Sequence, residues 1–78
     1  MTARQHTASA PACDFILKHW NAEVTRALDE RSRITLEIIR NTAQRVMDRF
    51  SPVDQIRAMV LIARAEAGLR WLGDRRHA

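Results

Sequence analysis

The stretch Ser51 to Gly73, SPVDQIRAMVLIARAEAGLRWLG, constrains this chain more than any other. Both ends carry helix punctuation. Ser51 is placed to accept from the backbone N–H of Asp54, and Pro52 takes the first helical position, where a missing N–H costs nothing. Asp54 stands three residues after Ser51, a shortened capping box, and its charge suits the positive end of the helix dipole. Gly73 is the expected left-handed stop, with Arg75 and Arg76 near the negative end.

At about 100° per residue, this helix has apolar residues on two opposite sides. Val53, Ile56, Val60, Ala63, Ala67 and Trp71 form one stripe. Ala58, Leu61, Ile62, Ala65, Leu69 and Leu72 form the other. Arg57 and Arg64 fill one seam between them, and Gln55, Glu66 and Arg70 the other. The first stripe has Ala63 and Ala67 four apart, which lets a neighbouring backbone come close. The second is then expected to face outward, and six positions at helical spacing predict a buried contact there.

Upstream of this helix, no Gly or Pro occurs between residues 12 and 51. Apolar positions recur from Ile16, Leu17, Trp20, Val24 and Leu28 through Leu36, Ile39, Ala43, Met47 and Phe50. The polar run DERSR between Leu28 and Ile34 is the one place for a break. Arg26, Glu30, Arg33, Glu37 and Arg40 alternate in sign across it without losing helical register, as a continuous solvated face would. The sequence therefore predicts an all-α antiparallel helical hairpin, with a long helix over 14–50, a tight corner at Ser51 and Pro52, and a second helix over 52–72. Three helices are the alternative. The apolar side of the long helix swings by about a quarter turn midway, so its two halves are expected to meet different neighbours. Residues 1–12 read as a flexible tail, 13–73 as the hairpin domain and 74–78 as a basic tail.

In a hairpin the half from Phe15 to Leu28 projects past the second helix with nothing to cover it. Together with the second stripe it leaves six to eight large apolar side chains bare. Burying each is worth about 1.5–3 kcal/mol. The expectation is a helical bundle completed by oligomerisation or by docking on a partner, through Phe15, Ile16, Trp20, Val24, Leu61, Ile62, Leu69 and Leu72. Glutamate at both Leu61 and Leu69 should then abolish association and leave helix content intact.

Composition narrows the chemistry. A single cysteine, Cys13, excludes an internal disulfide framework and a cysteine-built zinc site, and fits a reducing cytoplasm. Cys13 and His19 are six apart and share no helix face, and His6 lies in the tail, so no metal or other cofactor is expected. No Ser/His/Asp or Cys/His set and no glycine loop is present, and no enzyme is predicted. One alternative stays open: Arg31, Arg45 and Arg49 flank the apolar side of the first helix, and LDERSRITLEIIR looks loosely like the first helix of all-helical chorismate mutases. The other alternative is a basic nucleic-acid-binding or regulatory dimer. Its case is the net charge of +4, with 12 of 13 basic residues arginine. Most arginines, however, alternate with acids, and neither a basic stripe nor a stacking platform of exposed aromatics is present. No run of about 18 apolar residues exists to span a membrane.

The order of features resembles the small phasins of bacterial polyester granules. In that family a helix with an early Trp and Asn leads to a Ser-Pro or similar corner with an acid two residues on, and a second amphipathic helix with Arg and Glu follows. The residues that carry the likeness are Trp20, Asn21, Ser51, Pro52, Asp54, Arg64 and Glu66, within residues 15–72. The resemblance implies a non-enzymatic protein that coats a hydrophobic granule or binds other proteins, often as an oligomer. The chain is shorter than most of the family and lacks its low-complexity tail.

Overall fold

The computed structural model describes residues 11–77, with side chains through Gly73. The chain is all-α. The described residues form three helices in succession: α1 over Pro11–Glu30, α2 over Arg33–Val46 and α3 over Pro52–His77, with a short 3-10 turn at Met47–Arg49 before the last.

The expected long helix over 14–50 is therefore broken, and the break lies in the DERSR run. Arg31 sits in the left-handed region at φ 56°. Its N–H donates to Leu28 O at 3.3 Å and the Ser32 N–H donates to Ala27 O at 2.8 Å. These two bonds satisfy the last carbonyls of α1 in the manner of a Schellman cap, with arginine where glycine is usual. Ser32 then opens α2: its backbone is extended, and its Oγ accepts from the Thr35 N–H at 3.3 Å. One residue thus closes one helix and caps the next. Replacing Ser32 by alanine should cost about 1 kcal/mol in urea unfolding, the ordinary worth of a cap. The charge ladder stops at the same place. Arg33 pairs with Glu37 at 3.6 Å within α2, and Arg26 turns back to Glu23 at 2.6 Å within α1.

The break lets α1 fold back instead of projecting. Its residues climb α3 in step: Asp14 meets Arg57, Asn21 and Thr25 meet Arg64, Leu28 lies beside Gly68, and Arg31 stands over Trp71. Numbers that rise together mean parallel helices. α2 runs the other way, since Arg33 reaches Leu69 O while its far end leads into the corner at Ser51. The result is an up-down-up bundle. Its section of 17 × 14 Å is that of three helices packed at about 8–10 Å.

The corner forms by local chemistry. The Asp54 N–H donates to Ser51 Oγ at 3.4 Å, the Gln55 N–H donates to Ser51 O at 2.8 Å, and the Gln55 side chain reaches Phe50 O at 3.1 Å. Pro52 is the first residue of α3, and Pro11 likewise opens α1, ahead of the start expected near Asp14. Gly73 does not stop α3. It has no positive φ, and the helix continues to His77 through what was expected to be a separate basic tail. The rest of the expected N-terminal tail, residues 1–10, lies outside the described residues, as does Ala78.

The core is built from Val24 and Ala27 of α1, Leu36, Ile39 and Ala43 of α2, and Leu61, Ile62, Ala65, Leu69 and Leu72 of α3. Trp20, Leu28 and Met47 pack against it. Gly68 lies where all three helices converge. A Cβ there would collide with Leu28 and stand 3.2 Å from Leu36 Cδ1. Glycine there lets the Leu28 side chain lie against the α3 backbone, and an added methyl would have to turn the end of that side chain aside.

Candidate functional site

The two stripes of α3 exist, but their sides are the reverse of those expected. Leu61, Ile62, Leu69 and Leu72 are 3%, 8%, 8% and 6% exposed. They are held by the chain's own α1 and α2, so they are not free to form a docking face. Val24, expected at an interface, is fully buried in the same core. Trp20 is half-buried against it. Of the eight residues expected to bind a partner, Phe15 and Ile16 alone are exposed, and they lie on α1. The physical reason is the break at Arg31 and Ser32. Once α1 folds back, the stripe with Leu61, Ile62, Leu69 and Leu72 has two helices to pack against and joins their core.

The stripe left outside is Val53, Ile56, Val60, Ala63, Ala67 and Trp71. Ile56 is 64% exposed and Val60 58%, with Met59 beside them. Arg57 and Arg64 border it on the α1 side. Arg57 is held by Asp14 at 2.9 Å and Asp54 at 3.2 Å. Arg64 bonds only neutral groups: it donates to Asn21 Oδ1 and, at 3.1 Å, to Thr25 Oγ1. Its charge therefore faces outward without a described acid against it. Glu66 and Arg70 border the other side. Between α1 and α3 lies an open groove of about 290 Å³, with Leu17, Ile56, Val60 and Leu61 along its floor and Lys18, Asn21 and Arg57 at its edge. The other large exposed hydrophobics among the described residues, Phe15 and Ile16 on α1 and Ile34 and Ile38 on α2, belong to the outer faces of different helices.

Asp14, at the lower end of this border, is held below the usual aspartate range. The hydrogen bond from Lys18 is the largest cause. Desolvation works against it, and the hydrogen bond from Arg57 and the charges of both bases add to the lowering.

The three arginines considered for an anion site do not meet. Arg31 stands ahead of α2, while Arg45 and Arg49 lie past its middle, about 20 Å away at 1.5 Å per residue. Arg31 instead lies over Trp71, 5.8 Å from the ring centroid. Among the described residues no group of three or more His, Cys, Asp or Glu could hold a metal ion. Cys13 is a free, half-buried thiol on α1. Among the described residues no helix is long and apolar enough to cross a membrane. Comparison with protein-family models, with curated proteins and with solved structures finds no match to this chain.

Proposed function

We propose that this chain is a non-enzymatic interaction protein, of the phasin-like or small-adaptor kind, that docks on another protein through the outer face of α3. One observation carries the reading. The bundle closes its own core with one stripe of α3 and still holds five apolar positions at spacings of three and four on the opposite side, from Val53 to Ala67. Scattered exposed apolars are ordinary, but a continuous row along one helix face is the form in which helices present anchors to partners. A flat granule surface is the second occupant that such a face could take. The row is narrow and has arginine or glutamate on both flanks, a shape better filled by another helix than by a plane.

The test uses a photoreactive residue at position 60, on the row, or at position 45, on the outer side of α2, in the native cell. A discrete adduct from position 60 alone, lost when Ile56→Glu is added, supports the reading. Equal adducts from both positions, or none from position 60, overturns it. Ile56→Glu with Val60→Glu should leave helix content unchanged and stability within about 0.5 kcal/mol, because both side chains already face water.

A further inference from the structure

We infer that the outer face of α3 is a coiled-coil seam two heptads long, built to receive one amphipathic helix of a different protein that carries acidic residues on the edge facing Arg64. The inference rests on the docking reading above and names the partner's chemistry.

The spacing from Val53 through Ile56, Val60 and Ala63 to Ala67 is three, four, three, four. That is the a/d alternation of a left-handed coiled coil, with Val53, Val60 and Ala67 at a and Ile56 and Ala63 at d. The b, c and f positions of the same register, Asp54, Ala58, Leu61, Ile62 and Ala65, are the buried ones. α3 thus uses one side for its own bundle and leaves the seam side free over about 21 Å. The small Ala63 and Ala67 leave holes that call for large knobs, leucine or isoleucine, from the facing helix.

In this register the flanking positions decide the partner. Arg57 and Arg64 fall at e, and Met59 and Glu66 at g. A second copy of the chain fits them poorly. Antiparallel pairing sets e against e, which brings arginine to arginine. Parallel pairing sets g against e five residues on, giving Met59 with Arg64 and Glu66 with Trp71, and no ion pair. A foreign helix with carboxylates along that edge meets Arg64, whose present partners are neutral. The groove beside the seam has a floor of Ile56, Val60 and Leu17 that suits an aliphatic stem, while Lys18 and Arg57 at its edge are already held by Asp14 and Asp54. The overall charge of +4 draws such a partner from a distance.

Two fluorescein-labelled synthetic helices test this against the full-length chain. Each has leucine at every a and d position over three heptads. One has glutamate at e and g, the other lysine, and like charge keeps each from pairing with itself. The glutamate helix should bind saturably by anisotropy, about tenfold or more tighter than the lysine helix. The gap should narrow as salt rises. Arg64→Glu should erase or reverse the preference, and Ile56→Glu with Val60→Glu should remove both interactions, with circular dichroism showing each variant folded. Equal binding of both helices, lost in the Ile56 and Val60 variant, overturns the acidic partner while the docking face stands. Failure of the glutamate helix to bind overturns the seam. A chain that instead sediments as a dimer dissolved by Ile56→Glu assigns the face to a second copy. One that instead adsorbs to anionic phospholipid vesicles assigns it to a lipid surface.

Discussion

Replacing Leu61 and Leu69 together by glutamate should unfold the chain. Both leucines belong to the core, at 3% and 8% exposure, and both sit among residues of α1 and α2. A glutamate forced into such a site raises its pKa by as much as 3–5 units, about 4–7 kcal/mol each if the site is fully buried. Each change also forfeits about 1.5–3 kcal/mol of aliphatic burial. A chain of 78 residues has on the order of 4–12 kcal/mol of stability to lose. The two substitutions together exceed most of that range. Far-ultraviolet circular dichroism should show the helical signal of the double variant lost, with no cooperative melting transition. The matched surface pair, Ile56→Glu with Val60→Glu, should remain folded in the same measurement. A Leu61 and Leu69 variant that kept its helices and merely ceased to associate would place that stripe outside, and the bundle described here would be wrong.

This contrast marks how far the residues could be read without coordinates. The helical class, the cap at Ser51, the proline behind it and both stripes of α3 were legible, because capping and periodicity are local. Which stripe turned inward was not, because periodicity alone ranks two opposite faces equally. Two signals pointed the right way. The stripe with Leu61, Ile62, Leu69 and Leu72 carries four leucine or isoleucine side chains, whereas the other has Ile56 alone beside two valines and Trp71, and each includes two alanines. Gly68 also sits beside that stripe, and a glycine inside a helix points to a close neighbour, here the Leu28 side chain. The break at Arg31 was hidden for a different reason. The left-handed residue is an arginine, so no glycine or proline announced it. Ser32 with Thr35 three residues on was the surviving trace of a helix start. The unbroken alternation of charges from Arg26 to Arg40 argued for continuity, yet a charge pattern only permits a helix and does not enforce one. Because that single hinge decides whether α1 projects or folds back, missing it left outside a stripe that the bundle buries.

Arg57→Ala should cost about 3 kcal/mol, the lower end of the range for removing one partner of a buried ion pair. The reason lies at the corner where α3 begins. Asp54 is 1% exposed, and its carboxylate accepts from Arg57 at 3.2 Å and from the Ser51 hydroxyl at 3.3 Å. Without the guanidinium, that carboxylate stays buried, with the hydroxyl and the positive end of the helix among what offsets it, which keeps the loss from being larger. Arg57 also reaches Asp14 at 2.9 Å and so ties the start of α1 to the start of α3, through two residues that stand 43 positions apart in the chain (57 − 14). At about 4–8 °C per kcal/mol for a domain of this size, the melting temperature should fall by about 12–24 °C. Lys18→Ala, which removes an exposed partner of the same Asp14, should cost less than about 1 kcal/mol. Acid titration separates the two roles of Arg57. Asp14 has a lowered pKa in the folded chain, so its contribution is fully present above the unfolded value and disappears as pH falls through the folded one. Stability of the wild type should therefore decline below about pH 4, and that decline should be shallower when both Lys18 and Arg57 are alanine. A variant lacking Arg57 that melted with the wild type would show that Asp54 is satisfied without it, and that α1 is held to α3 without the pair to Asp14.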